Sequence, residues 1–241
     1  MTRSLLERSL PGPLLNAYWQ FKRKQLRRRL QGLSVKEVFT LIYSERLWGK
    51  SPENGEEFFS GSGSHNPFIV EGYIATIANW ISTLGCKPDV VDLGCGDFAV
   101  GAKLRRFCGH YVACDVVEPL IERNRERFKE LDVDFRVIDL TADELPDGRV
   151  AFLRQVLQHL SNRAILQIVP KLQGKYEYLV LTEHLRSSAE ADGNTDKPAG
   201  PDWRGVVLTA EPFNLRAQET TVLCEMPEQE GMIRTTLHRL Q

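Results

Sequence analysis

The stretch Val90-Val91-Asp92-Leu93-Gly94-Cys95-Gly96-Asp97-Phe98-Ala99-Val100-Gly101 decides the fold of this 241-residue chain. A short apolar run ends in an acid, and a Gly-x-Gly pair then opens a segment able to become a helix. Strand, tight glycine turn and helix make the first unit of a nucleotide-binding α/β sheet. Gly94 and Gly96 matter because a backbone without Cβ turns sharply and lets a ligand come close. Helix-opening N–H groups beyond them give an electropositive end. The dinucleotide fingerprint places a third glycine three residues after the second, but position 99 is Ala and the next glycine is Gly101. Asp92, just ahead of the glycines, would repel a pyrophosphate and suits a ligand carrying an ammonium group.

Working outward, Tyr111 to Asp115 reads as a second strand ending in an acid, about twenty residues past the glycines, the usual place for a ribose-binding carboxylate. A third strand spans Asp134 to Asp139 and is followed by Leu140. A fourth, near Val150 to Leu153, leads into Arg154-Gln155-Val156-Leu157-Gln158-His159-Leu160. Strand five, Tyr178 to Thr182, is almost wholly apolar, as a buried parallel strand should be. Glu219–Cys224 and Met232–Leu237, joined through Pro227 to Gly231, form a final hairpin.

The Asp-x-Gly-x-Gly element at 92–96 resembles motif I of the class I S-adenosylmethionine-dependent methyltransferases, and the later acids follow in that superfamily's order. Within it, Trp48-Gly49, Ser60 to Ser64, Asp92 to Asp97, Leu157-x-His159-Leu160, Pro212-Phe213 and the Asn194, Asp196, Gly200, Arg204 pattern are similar to bacterial small methyltransferases of loosely defined substrate. The resemblance covers most of residues 35–240. It implies a Rossmann-like, seven-stranded, mostly parallel α/β sheet with a C-terminal antiparallel hairpin, and S-adenosyl-L-methionine as cofactor. It further implies cofactor contacts from Asp92, Gly94, Cys95, Gly96, Asp115, Val116, Asp139, Leu140 and Arg154. Trp48, Ser62, Ser64 and Arg204 are the expected substrate contacts.

The N-terminal region lies ahead of this unit and divides in two: a basic helical arm over 1–33, then a helical cap with a Ser/Gly loop over 34–86, before the methyltransferase domain at 87–241. Residues 13–31 are expected to be helical with Pro13 in the first turn. Leu15, Trp19, Leu26 and Leu30 would share one side, opposite Lys22-Arg23-Lys24 and Arg27-Arg28-Arg29. Ser34 and Glu37 form a capping box for the next helix. The Ser60–Ser64 loop reads either as a linker or as a cover of hydroxyls and N–H groups over the ligand. Asn66 and Pro67 cap a long helix that stops at Gly85. Further on, helices are expected over Phe98–Cys108, from Pro119, and from Ser161 to near Leu172. Residues 187–205 read as a long loop of the kind that covers substrates.

The net charge of −1 hides an asymmetry: residues 1–32 carry eight Lys/Arg against Glu7, a local +7 that leaves −8 elsewhere. A basic arm of this kind suits an anionic partner. An anionic membrane surface met through residues 13–31 and a packed appendage with a solvated basic face are both open readings. Five cysteines without Cys-x-x-Cys spacing, and no apolar run approaching the ~20 residues of a membrane helix, give the expectation of a reduced, cytoplasmic protein, peripheral to the membrane at most.

Methyl transfer from a sulfonium is an in-line displacement whose acceleration comes largely from positioning. An alcohol acceptor also needs a base. His159, just beyond strand four, is the first candidate, against a structural histidine bonded to backbone; His184 is the second. The chain lacks the Asn/Asp-Pro-Pro-aromatic of exocyclic-amine methylation, the Pro-Cys of cytosine-C5 chemistry, the paired glutamates of arginine methylation and any carboxylate cluster for a catalytic metal. The expectation is methylation of a small-molecule, sugar or lipid-linked acceptor, with oxygen favoured and nitrogen kept as the other open acceptor atom. RNA methylation gripped by the basic arm, and a non-catalytic cofactor-binding partner subunit, are the alternatives.

Overall fold

The computed structural model describes residues 12–50, 58–186, 194–228 and 231–241. Seven strands form one sheet in the order β3-β2-β1-β4-β5-β7-β6. They are β1 Val90–Leu93, β2 Tyr111–Asp115, β3 Asp134–Val137, β4 Val150–Arg154, β5 Tyr178–Arg186, β6 Glu219–Glu228 and β7 Gly231–Arg239. The first five run parallel; β7 pairs antiparallel with both β5 and β6. Strand order reverses between β1 and β4, where an α/β sheet opens a ligand crevice at its carboxyl edge.

Among the described residues there are six α-helices: α1 Gly12–Leu30, α2 Val35–Ser44, α3 Pro67–Thr83, the single turn α4 Gly101–Leu104, α5 Glu118–Arg127 and α6 Asn162–Gln173. Alternation along the strands divides the core. Val91, Leu93, Ala151 and Leu153 face α2 and α6, whereas Val90, Tyr111 and Phe152 face α3 and the Phe98 cluster. The expected cap therefore splits, with α2 on one face and α3 on the other. Their local signals hold: Ser34 and Glu37 make the full capping box, and the Asn66 side chain accepts from Phe68 N–H ahead of Pro67.

Several boundaries differ from expectation. The helix predicted over Phe98–Cys108 is one α-turn that tightens into a 3-10 turn at Arg105–Phe107. Phe98 is the cause. It takes φ +61°, placing its fully buried ring against Tyr111, Phe128 and Phe135, so helix cannot begin there. β3 stops at Val137, ahead of Asp139. β5 runs four residues beyond Thr182, because β7 pairs with it as far as Arg186; His184 thus lies inside a strand rather than after one. The predicted hairpin is likewise longer on both arms. Residues 1–11 of the basic arm, 187–193 of the long loop, and 229–230 of the hairpin turn lie outside the described residues.

Helix α1 projects from this body. Leu30 is buried and Leu26 packs on the core, but Leu14, Tyr18, Trp19 and Phe21 are 57, 39, 43 and 59% exposed. Trp19, expected on the packed side, is therefore largely in solvent. Among the described residues no helix is long and apolar enough to cross a membrane.

Candidate active site

A cavity of about 410 Å³ opens at the carboxyl edge of the strands where their order reverses, floored by residues 92–97. Its corner is made by the backbone. Gly94 and Gly96 hold φ +82° and +56°, and the N–H groups of Gly94 and Cys95 both donate to Cys114 O at 2.8 Å. An added Cβ on Gly94 would come within 2.4 Å of Val156, and one on Gly96 equally close to Ser60 Oγ. Only glycine satisfies both the dihedral and the space. From behind, Asn124 Nδ2 donates to Gly96 O at 2.7 Å.

Three acids reach this corner, from the ends of β1 and β2 and from the turn just beyond β3. Asp92 is buried and accepts from Tyr111 OH at 2.9 Å. Burial pushes its carboxyl up to about 7, with the Tyr111 bond and the Arg154 charge pulling back and Asp115 adding to the rise. Asp115 accepts from Gly96 N–H and Val117 N–H, each at 3.1 Å; burial still lifts it to about 6 against those backbone bonds. Asp139 is half-buried, and Thr141 N–H and Oγ1–H both donate to its Oδ1. Val116, Leu140 and Cys95 complete this half of the wall. Burial also raises the Cys95 thiol well above its ordinary range, so it is a neutral turn residue.

A covering loop closes the corner from above. Residues Ser62–Ser64 form a 3-10 turn, and Arg154 at the end of β4 donates to Ser64 Oγ at 3.0 Å and to Gly63 O at 2.6 Å. Asp97 takes Ser60 N–H at 2.9 Å and His65 Nε2 at 2.6 Å, while Asp97 N–H donates to Ser60 Oγ at 2.8 Å. Tyr43 OH lies 3.0 Å from the same Ser60 oxygen. Of the two readings of the Ser/Gly stretch, the geometry is that of a cover. Asp97, His65, Tyr43 and Asn124 were not singled out in the sequence; Asp97, adjoining Gly96 in the glycine motif, was the one legible signal among them.

The opposite end is walled by Trp48, His159, His184, Pro201 and Trp203. Trp48 Nε1 donates to Pro201 O at 3.3 Å and its ring lies 5.0 Å from that of His159. His159 Nδ1 is 3.3 Å from Asp202 O, and its Nε2 is 3.2 Å from Gln158 Nε2. The carbonyl fixes the proton on Nδ1, leaving Nε2 as the acceptor nitrogen. Burial lowers this imidazole to about 4, Lys197 adding to the fall. Gln158 is itself held, its N–H donating to Glu183 and its Oε1 accepting from His184 N–H, both at 3.0 Å. His184 stacks on Trp203 at 3.8 Å between ring centroids, its Nε2 3.1 Å from Glu228 O.

The cavity thus gathers every expected site residue but one. Arg204 is not among its lining residues; its guanidinium donates to Thr195 O, Leu160 O and Asn162 Oδ1, tying the loop after β5 to the start of α6. Arg154 does line the cavity, but its bonds go to the covering loop.

Residues 90–173 match the model of a family described as a methyltransferase domain. That span runs from β1 through α6 and contains the glycine corner and all three acids. Residues 90–173 thus form a methyltransferase domain. No curated protein matches the chain in sequence. In structure it is similar to the N-methyltransferase NodS of Bradyrhizobium japonicum WM9 in complex with S-adenosyl-L-homocysteine, at 15% identity over 84% of this chain and 99% of that one, with a TM-score of 0.58. It is also similar to the magnesium protoporphyrin IX methyltransferase ChlM of Synechocystis PCC 6803 with bound S-adenosylmethionine, at 13% identity over 87% and 99%, TM-score 0.56. The bifunctional kinase-methyltransferase WbdD aligns over 75% of this chain and 42% of its own, at 16% identity and TM-score 0.52.

The methyltransferase-domain match implies S-adenosyl-L-methionine as cofactor, and the donor set fits it. Two buried carboxylates held above their ordinary range are short of positive charge and of hydrogen-bond donors. An ammonium and sulfonium near Asp92, and ribose hydroxyls at Asp115, would supply both. Asp139 and Leu140 would border the adenine. The cofactor supplies an electrophilic methyl group; this chain's residues orient it, exclude water and receive the acceptor.

Proposed function

We propose that this methyltransferase acts on a hydroxyl of a small, glycan or lipid-linked acceptor, with His159 taking the proton. The supporting observation is the state of His159. Its imidazole is neutral at physiological pH, its proton is kept on Nδ1 by the Asp202 carbonyl, and its Nε2 accepts from the Gln158 amide at 3.2 Å, a bond that the acceptor hydroxyl displaces when it binds. A base of so low an affinity does not hold a proton at rest; it accepts one only as the acceptor oxygen loses electron density to the forming bond. Gln158, fixed by Glu183 and β5, sits beside Nε2 and orients the ring. Trp48 and Trp203 give the acceptor end apolar faces that exclude water.

The presentation of the acceptor falls to α1. Leu14, Tyr18 and Phe21 recur at helical spacing on an exposed face, beside Lys22, Arg23 and Lys24. Exposed aromatics next to cations are what an interfacial helix needs to enter an anionic lipid headgroup layer. The cations alone also favour a second reading, RNA methylation, which predicts RNA affinity falling steeply with added salt.

Radiolabelled methyl transfer into fractionated cell extract tests both parts. The expected product is a methyl ether in the small-molecule or lipid fraction; label confined to RNA, to secondary and tertiary amines, or to methyl esters would overturn the assignment. Flotation with phosphatidylglycerol vesicles should retain the wild type and lose Phe21→Glu.

A further inference from the structure

Beyond the acceptor end lies a second basin, of about 380 Å³, between α1 and the loop after β5. Four cations line it: Arg23 and Arg27 from α1, Arg186 from the end of β5, and Lys197 from the loop. Among the described lining residues one carboxylate, Asp202, faces them, and Asp196 acts on Lys197 from beyond the lining. Asp202 sits 3.8 Å from Arg27, with both side chains more than half exposed (53 and 68%), a contact of little worth. Among the described residues, Arg23, Arg186 and Lys197 make no ion pair. The Lys197 ammonium has only the Pro198 carbonyl at 3.1 Å, and burial, reinforced by Arg204 and Arg27, lowers it to about 8 despite Asp202. Like charges gathered this way repel unless an anion sits among them.

The basin adjoins the methyl-transfer cavity. Pro201 and Trp203 line both. Trp203 stacks on His184, which belongs to the cavity, and the Arg186 guanidinium, which belongs to the basin, lies 5.2 Å from the same indole centroid. An anion in the basin is therefore one side chain away from the acceptor end. A single carboxylate would leave most of the positive charge uncompensated. A phosphomonoester carries close to two negative charges at about pH 7, and three arginines are the residues that pair with phosphate in bidentate fashion.

We propose that this basin is the subsite for a phosphate or diphosphate group of the methyl acceptor, held by Arg23, Arg27, Arg186 and Lys197, while the rest of the acceptor passes Pro201 and Trp203 to reach His159. The assignment rests on the methyl-transfer reading of the neighbouring cavity, and it narrows the substrate class to phosphorylated acceptors.

Titration calorimetry of full-length protein saturated with S-adenosylhomocysteine, using inorganic pyrophosphate as the probe, tests it. Wild type should bind pyrophosphate, and Arg27→Gln/Lys197→Gln should bind it at least about tenfold more weakly, the loss expected from removing charge-assisted bonds. The double variant should keep wild-type affinity for S-adenosylhomocysteine, which shows that it folds. Absence of pyrophosphate binding by wild type, or equal binding by the double variant, would overturn the proposal. Failure of S-adenosylhomocysteine to bind wild type would instead strike the reading of the first cavity, leaving the pyrophosphate result to stand separately. The source of the phosphate is resolved by phosphatidylcholine vesicles with and without phosphatidic acid. Retention only with phosphatidic acid, reversed by pyrophosphate, supports a lipid-borne phosphate; pyrophosphate binding without retention supports a soluble phosphorylated acceptor.

Discussion

The two ends of the cavity are built from different materials. The glycine-corner end is backbone and short acids at or just past the tips of β1, β2 and β3, where sheet geometry fixes each position to its neighbours. The acceptor end is made of Trp48, His159, Pro201 and Trp203, which come from turns and loops, with His184 of β5 the exception. A sheet edge makes the first end common to a superfamily; the second end can change without disturbing the fold. The difference teaches where to look for each kind of information: ligand class at the strand tips, acceptor identity in the connections.

Four substitutions press on that division. Gly94→Val should have the largest effect, eliminating S-adenosylhomocysteine binding by calorimetry. It would force a side chain onto φ +82° and into the space of Val156. Retained affinity in a folded variant, judged by circular dichroism, would show that the corner is not needed. His159→Ala should act at the other end only, lowering turnover about 10²- to 10⁴-fold as expected for loss of a general base, with cofactor affinity close to wild type. An unaltered rate would make His159 purely a packing residue beside Trp48.

Asp92→Asn probes the glycine-corner end through pH. With the Asp92 carboxyl at about 7, wild type should bind S-adenosylmethionine more tightly as pH rises through neutrality and the carboxylate forms. Asparagine should abolish this slope and bind about tenfold more weakly above it, the equivalent of one pKa unit. The stability sign is opposite. A carboxyl whose folded pKa is raised stabilises the free protein least above that pKa, so thermal unfolding without cofactor should show a loss as pH climbs from about 4 to about 7. A wild-type affinity flat across this range would remove Asp92 from the cationic end of the cofactor. Smallest of all, Tyr43→Phe deletes the bond to Ser60 and should cost about 1 kcal/mol in denaturant unfolding; no change would mean that the cover is held by Asp97 and Arg154 alone.

The same division explains what could be read from the residues alone. Strand-turn-helix at 90–101, the acids at 115 and 139 and the apolar strand at 178–182 are local patterns with fixed consequences, and the sheet follows them in order. Asn66 and the Ser34 box announced their helices equally well. Phe98 reads as helical because nothing in its neighbours announces a left-handed aromatic; that conformation is imposed by Tyr111, Phe128 and Phe135, which come from later in the chain. The extension of β5 past Thr182 is likewise decided by its partner β7. An arginine in a loop looks free, so Arg204 reads as a substrate contact, whereas its guanidinium is occupied by Thr195 O in its own loop and by Leu160 O and Asn162 Oδ1 at the approach to α6. The second basin was invisible for a related reason: its four cations lie on three separate elements.

The covering loop carries a thermodynamic consequence. Its place over the glycine corner is set by bonds from Asp97, Tyr43 and Arg154, all within the chain. The entropy of ordering those residues is thus charged to folding, once, and not to each round of donor capture and product release. An enzyme organised in this way can discard its spent nucleoside without rebuilding the pocket that held it.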